Sequence, residues 1–80
     1  LQGSGGSLLP VGVRGVVGDF RRGDMVSCLS RDGVEVARGL VNYNASETSR
    51  IMGASSGEID SLLGYRGDDE LIHRDNLVLL

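Results

Sequence analysis

The sequence contains no lysine, and all eight of its basic residues are arginines, set against eleven acidic residues for a net charge of −3. A phosphate-binding P-loop needs a lysine directly after its glycines. The glycine-rich opening "LQGSGGS", residues 1–7, is therefore predicted to be a flexible lead-in. The acidic balance also argues against a dedicated nucleic-acid-binding domain, because such domains depend on neutralising phosphates.

Cysteine and histidine occur once each, as Cys28 and His73. A single cysteine excludes an internal disulfide and a cysteine-based zinc cage, and it fits a reducing compartment. Cys28 lies in the middle of an alternating strand pattern, which favours a core thiol over a nucleophile. His73 has no second histidine for a metal pair. We therefore predict no catalytic, cofactor or metal site in these 80 residues.

Long apolar runs are also missing. No stretch approaches the ~18–20 residues that span a bilayer, and the chain does not open with the pattern of a signal peptide. Eighty residues are enough for one domain with a modest core.

The apolar spacing predicts a mostly β domain. Strands are expected at residues 13–17, 24–30 and 34–43, and again near the end of 71–80, while Pro10 blocks a long helix before them. "RDG", residues 31–33, is predicted to be a hairpin turn because Asp-Gly tolerates positive φ. Gly39, inside a strand, indicates a bulge or a close backbone approach.

Two short helices follow in the sequence. Asn44 with Glu47 predicts the start of the first, and Gly53 its end, so "NAS" at residues 44–46 is interpreted as a helix cap rather than a glycosylation site. A second capping box precedes an apolar face that ends at a glycine. The residues of this second helix signal are Ser55, Glu58, Ile59, Leu62, Leu63 and Gly64.

"GDFRRGD", residues 18–24, places two arginines between two Gly-Asp steps. We interpret it as a turn, in which Asp19 and Asp24 offset the charges of Arg21 and Arg22. If the strand at 13–17 pairs antiparallel with 24–30, Arg14 lies near Arg31 and forms a small basic patch. That patch is the candidate RNA contact.

Three further motifs give only weak indications of function. "HRD", residues 73–75, matches the start of a kinase catalytic loop, but that loop needs an asparagine where this chain has Leu80, so a polar turn is predicted. "RGD" occurs twice in predicted turns, starting at Arg22 and at Arg66. The acidic run Asp68, Asp69 and Glu70 could attract a hard cation weakly, although such runs are usually solvated.

Taken together, "SLLPVGV", "GDFRRGDMV", "VARGLVNYNASE" and "SSGEIDSLLGY…HRDNLVLL" resemble the C-terminal PUA domain of bacterial glutamate 5-kinases. The pattern shared across PUA domains falls here on Phe20, Gly23, Asp24, Val26, Ala37 and Gly39. The closing motif of the glutamate-kinase branch falls on His73, Arg74, Asp75 and Asn76.

The resemblance implies a mainly β, α+β fold: a PUA-like pseudobarrel of short strands with two short helices, occupying residues 8–80. The family's first strand and helix are missing from this chain, which would leave an unpaired sheet edge open to self-association or to pairing with a neighbour.

The resemblance further implies that the parent enzyme uses ATP and Mg²⁺ to phosphorylate the side-chain carboxylate of L-glutamate. This is the first step of proline biosynthesis, it takes place in the cytoplasm, and proline inhibits it. The chemistry and its cofactors belong to a separate amino-acid-kinase domain, so the present chain is expected to be non-catalytic. Its own role stays open between a regulatory or assembly module, an RNA-binding domain using Arg14 and Arg31, and a purely structural stabiliser.

Overall fold

The computed structural model describes residues 7–65 and 67–80. These residues form a three-stranded antiparallel sheet in the order β1-β2-β3, with two short helices packed beside it. The strands are β1 (Met25–Leu29), β2 (Glu35–Leu40) and β3 (Leu77–Leu79); the helices are α1 (Ala45–Ile51) and α2 (Ile59–Leu63). Short 3₁₀ turns occur at Pro10–Gly12, Ser56–Glu58 and Arg74–Asn76. The predicted mainly β, α+β fold is confirmed.

The β1–β2 hairpin forms where the Asp-Gly step predicted it. Gly33 adopts a φ of 83°, and its N–H donates to the carbonyl of Ser30 over 2.9 Å. Such a left-handed conformation is easily accessible only to glycine. The predicted second strand, 34–43, ends earlier, at Leu40, because the N–H of Asn42 turns away to the carbonyl of Leu71 at 2.7 Å.

Gly39 is a point of close approach between β2 and the chain entering β3. A Cβ added there would lie 2.6 Å from both the carbonyl oxygen of Asn76 and Cγ2 of Ile72. The close backbone approach predicted for Gly39 is therefore confirmed. The bulge in β2 lies elsewhere, since the register shifts between the pairs Cys28–Ala37 and Leu29–Glu35 and leaves Val36 as the extra residue.

Both predicted helix starts are present. The side chain of Asn44 accepts from the Glu47 N–H at 2.8 Å, and Glu47 accepts in return from the Asn44 N–H at 3.2 Å. At the second start, Glu58 accepts from the Ser55 N–H at 3.2 Å, although a 3₁₀ turn precedes α2 there. Gly64 ends α2 in the left-handed conformation. Asn44 is thus a helix cap, as predicted.

The core joins the two helices to the segments that flank the sheet. Tyr43, Ile51, Ile59 and Leu71 form its buried centre. Leu62, which the sequence pattern placed on the apolar face of α2, is 43% exposed. The five-residue α2 turns only Ile59 and its i+4 neighbour Leu63 toward the core, so that part of the prediction is wrong.

The strand predicted at 13–17 is absent, which is a correction. This segment has no regular secondary structure, and no backbone hydrogen bond joins residues 14–19 to another described residue. A strand persists only when a neighbour pairs with its backbone, and here an open groove lies between the segment and β1.

The predicted lead-in, 1–7, lies outside the described residues apart from Ser7, whose hydroxyl accepts from the Arg74 N–H at 3.2 Å. Leu8 then bridges antiparallel to Ile72 and ties the front of the domain to its end. None of the helices in the two described ranges has the length and apolar character needed to cross a bilayer.

Candidate functional site: a groove beside the open sheet edge

A groove of about 1080 Å³ lies between the segment 12–20 and β1. Most of its lining is apolar, including Val13, Phe20, Val26 and, deeper in, Ile72. Its volume lies just above the ~300–1,000 Å³ range of small-molecule pockets, and one of its walls is a strand. The shape therefore suits an extended chain better than a compact ligand.

The β1 wall presents unpaired backbone. β1 pairs with β2 on one side, and no other described strand pairs with it. The N–H of Val41 donates to the Asp24 carbonyl at 3.1 Å. Because every second residue of an antiparallel strand bonds to the partner strand, this contact shows which residues of β1 face β2 and which face the other side. Val26 and Cys28 consequently point their backbone groups at β2, whereas Met25, Ser27 and Leu29 point theirs into the groove.

The opposite wall, residues 14–19, has equally unused backbone groups, as noted above. Most of residues 14–19 are exposed, so water can satisfy these backbone groups in the isolated chain, and a pairing strand would take its place. A groove with such groups along both walls and apolar side chains between them has the properties of a site for strand addition. The segment 13–17 would then regain the β-character that its sequence predicts.

Arg14 and Arg31, the predicted RNA contact, both line this groove. They do not meet through the pairing of 13–17 with β1 on which the prediction rested, because that pairing is absent. Asp19 lines the same groove and partly offsets their charge. RNA contact by the two arginines stays a prediction.

Cys28 also lines the groove and is half-buried on β1. Burial raises the pKa of the Cys28 thiol, and the nearby Glu35 carboxylate raises it further. A reactive cysteine needs the opposite shift, toward thiolate. The chemistry thus agrees with the prediction of an unreactive thiol in a strand, although Cys28 lies at the groove rather than in the buried centre.

"GDFRRGD" forms a turn, as predicted. Gly23 has a φ of 89°, and a carboxylate oxygen of Asp24 accepts from the Arg21 N–H at 2.9 Å. Arg22 pairs with Asp68 at 3.4 Å, rather than with its sequence neighbours. That pair is 73% and 46% exposed, so it contributes only ~0–1 kcal/mol. The second "RGD" begins at Arg66, outside the described residues.

The residues of the shared PUA pattern surround the base of the hairpin. The carbonyl of Phe20 accepts from the Ala45 N–H at 3.0 Å, which links the turn to α1. Val26 and Ala37 lie on the inner side of the sheet, and Ala37 is fully buried. With Gly23 and Gly39 described above, these positions form turns, packing contacts and a close approach.

"HRDN" forms the 3₁₀ turn before β3. His73 precedes the turn, and its Nδ1 accepts from the Asp75 N–H at 3.1 Å. The N–H of Asn76 donates to the His73 carbonyl at 2.8 Å. The predicted polar turn is confirmed, and its capping acceptor is the side chain of His73. Arg74 contributes its backbone N–H to Ser7.

The acidic run at 68–70 connects the loop to the core through its carbonyls. Tyr43 donates its hydroxyl to the carbonyl of Asp68, Ser56 to that of Asp69 at 3.2 Å, and the side-chain amide of Asn42 to that of Glu70 at 3.0 Å. Within the described ranges, no three His, Cys, Asp or Glu residues are grouped to hold a metal ion.

Sequence reasoning missed two side-chain clusters. Tyr65 donates its hydroxyl to Glu47, and this hydrogen bond raises the pKa of Tyr65 to about 12. Glu35 accepts from Arg38 and from Ser27, and these bonds lower the pKa of Glu35 to about 2. The first pair is 18 residues apart in sequence. The second depends on the bulge at Val36, and neither has a local sequence signal.

Comparison with known proteins places this sequence in a family. The sequence pattern of the family described as PUA domain matches residues 2–63. The chain is 67% identical over 76 residues to a glutamate 5-kinase of Nitrosospira multiformis, covering 95% of this chain and 20% of that protein. It is 64% identical over 80 residues to one of Saccharophagus degradans and 61% over 80 residues to one of Hahella chejuensis. Each of these alignments covers all of this chain and 21% of the relative.

The chain thus spans about a fifth of the length of the curated relatives it matches. The family pattern covers most of the sequence, and the hairpin, the two capped helices and the close approach at Gly39 fall on the residues that suggested it. The chain belongs to the PUA domain family.

Proposed function

We propose that this chain is the non-catalytic C-terminal domain of a glutamate 5-kinase and acts there as a regulatory or assembly module. The similarity to glutamate 5-kinases over 92–100% of the chain supports its assignment to that enzyme. The parent would use ATP and Mg²⁺, held in its kinase domain, to phosphorylate the side-chain carboxylate of L-glutamate in the first step of proline biosynthesis. The single cysteine fits the reducing cytoplasm that this assignment implies.

A catalytic role for the chain itself has little chemical support. Phosphoryl transfer needs positive groups arranged around the γ-phosphate. The chain has no lysine, and Arg22 and Arg38 are engaged in ion pairs with Asp68 and Glu35. We expect no glutamate-dependent ATP turnover from the isolated chain, measured by release of ADP.

The groove beside β1 is the observation that carries the assembly role. Both of its walls offer unused backbone groups, and its lining is apolar, so the isolated domain exposes a surface suited to an extended polypeptide. We assign as occupant a segment of the longer protein outside these 80 residues. About four-fifths of each relative lies outside the matched region, and a tethered segment binds at a high effective concentration.

Removal of the domain from the longer protein tests the regulatory role. If the role is regulatory, the proline concentration for half-inhibition should shift by about tenfold or more, corresponding to a coupling of ~1.4 kcal/mol. A lower melting temperature with unchanged proline inhibition would instead support a purely structural stabiliser and contradict the regulatory role.

RNA binding is the second candidate, because Arg14 and Arg31 line the same groove. The test is an anisotropy titration of the domain with a short structured RNA at two salt concentrations. The control is R50A, because Arg50 is an exposed arginine of α1 outside the groove lining. Saturable binding that weakens with salt and is lost on R14A/R31A, but kept on R50A, would support RNA binding. The net charge of −3 disfavours binding, and no binding at low salt would contradict this candidate function.

A further inference from the structure

The sheet has a second exposed surface, on the side facing away from the core. Alternation along the strands places Met25 and Leu29 of β1, Leu40 of β2 and Val78 of β3 on it, and we call this surface the outer face. Their exposures are 62%, 58%, 39% and 59%. A solvated face of an antiparallel sheet normally carries polar side chains, so this face has the composition of a contact surface.

The polar residues of the outer face satisfy one another. Arg38 donates to both oxygens of Glu35, at 2.7 Å and 3.1 Å, and Ser27 donates its hydroxyl to Glu35 at 2.6 Å. Residues three apart on a regular strand point to opposite faces. The bulge at Val36 brings Glu35 and Arg38 to the same face. The charges form a bidentate pair, so covering the face would leave neither of them without a partner.

The size of the outer face decides between possible occupants. The 14 residues of the three strands, at ~3.3 Å by ~4.8 Å each, cover about 220 Å² of the sheet plane. A stable dimer buries ~800 Å² on each partner. A second copy is therefore too weakly held by this face, whereas a tethered partner needs far less area because its effective concentration reaches the millimolar range.

We propose that the outer face packs against an apolar surface of the rest of the longer protein. This inference rests on the proposed function, since it requires the chain to be one domain of a larger enzyme. It adds a second contact: the groove takes an extended segment at the sheet edge, and the outer face, which shares Met25 and Leu29 with the groove lining, takes a folded surface against the sheet. The neutral, apolar composition of the face sets the chemistry of the partner surface, which is apolar and uncharged.

Cysteine labelling tests the proposal. V78C places a thiol on the β3 side of the outer face, away from the groove lining. V11C is a matched control, since Val11 is 58% exposed, lies on the 3₁₀ turn and is also not part of the groove lining. Both variants are made with the native cysteines replaced by serine, in the isolated chain and in the longer protein. The measured quantity is the rate of reaction with a maleimide.

We expect V78C to react about tenfold or more slowly in the longer protein than in the isolated chain, and V11C to react at similar rates in both. Equal rates for V78C in the two proteins, or equal slowing of V78C and V11C, would overturn the inference. Slowing of V78C in the isolated chain as its concentration rises would also overturn it, because a second copy would then be the occupant.

The assembly role is tested separately in the same samples, by hydrogen exchange of the Ser27 and Leu29 amides at the groove. If these amides become protected in the longer protein while V78C still reacts fast, the assembly role stands and only the outer-face contact is wrong. If neither changes, the assembly role itself fails.

Discussion

Replacing Gly39 by alanine would put a Cβ into occupied space. The added atom would lie 2.6 Å from the carbonyl oxygen of Asn76 and 2.6 Å from Cγ2 of Ile72, and 3.3 Å from Cα of Leu77. Two of these three atoms belong to backbone, so a side-chain rotation cannot relieve the overlap. β3 and the turn before it would have to move away from β2.

Overpacking of this kind costs about 1–3 kcal/mol. An 80-residue domain has a total stability of about 4–12 kcal/mol. At ~4–8 °C per kcal/mol for a domain of this size, a loss of ~2 kcal/mol lowers the melting temperature by about 8–16 °C. The assay is thermal unfolding of the isolated chain followed by circular dichroism.

Gly57→Ala is the matched control, because a Cβ at Gly57 meets no atom within 4 Å. Its backbone lies in a 3₁₀ turn without positive φ, where alanine is tolerated. We expect this variant to be neutral or stabilised by up to ~1 kcal/mol. A Gly39→Ala chain that melts together with Gly57→Ala would refute the close packing of β2 against β3.

Three further predictions concern caps and titrations. Asn44→Ala removes the acceptor of the Glu47 N–H and should lower the free energy of unfolding by ~1 kcal/mol, measured by denaturant titration. Asn44→Asp keeps an acceptor oxygen and should retain most of that stability; an unchanged midpoint for the alanine variant would contradict the capping role. The pKa of Glu35 is lowered to about 2. The ionised Glu35 carboxylate therefore contributes fully to stability above the unfolded pKa of ~4.3, and this contribution is lost as pH falls toward 2. Arg38→Ala should raise the pKa of Glu35 in an NMR titration. The pKa of Tyr65 is raised to about 12, so the hydrogen bond from its neutral hydroxyl contributes fully to stability below pH ~10 and is lost as pH rises through 12. Glu47→Gln should lower the pKa of Tyr65, measured by tyrosinate absorbance, and an unshifted titration would exclude the hydrogen bond.

The parts of the fold that the sequence predicted depend on local signals. The Asp-Gly turn at Gly33, the capping box at Asn44 and the helix stop at Gly64 each need only a few neighbouring residues. Gly39 shows the limit of such signals: the sequence indicated a bulge or a close approach, and only the packing of β3 distinguishes the two.

The parts that could not be predicted depend on contacts between distant residues. The β-character of 13–17 is genuine in its sequence, but whether a strand forms depends on a neighbour across the groove. The placement of Arg14 and Arg31 along one groove likewise follows from the folded chain rather than from their spacing. The Glu35–Arg38 pair needs the bulge at Val36, because only the bulge brings the two side chains to the same face, and no residue of the hairpin predicts where that bulge lies.

The most direct test of the account is residue-resolved hydrogen exchange along β1, in the isolated chain and in the longer protein. Alternate amides supply the internal control: Val26 and Cys28 pair with β2, whereas Met25, Ser27 and Leu29 face the groove. In the isolated chain only the first two should be protected. In the longer protein we predict that the Ser27 and Leu29 amides slow by about a hundredfold or more as an extended segment pairs with them. Amides of Ser27 and Leu29 that exchange equally fast in both proteins would contradict the proposal that this domain serves assembly through its open sheet edge.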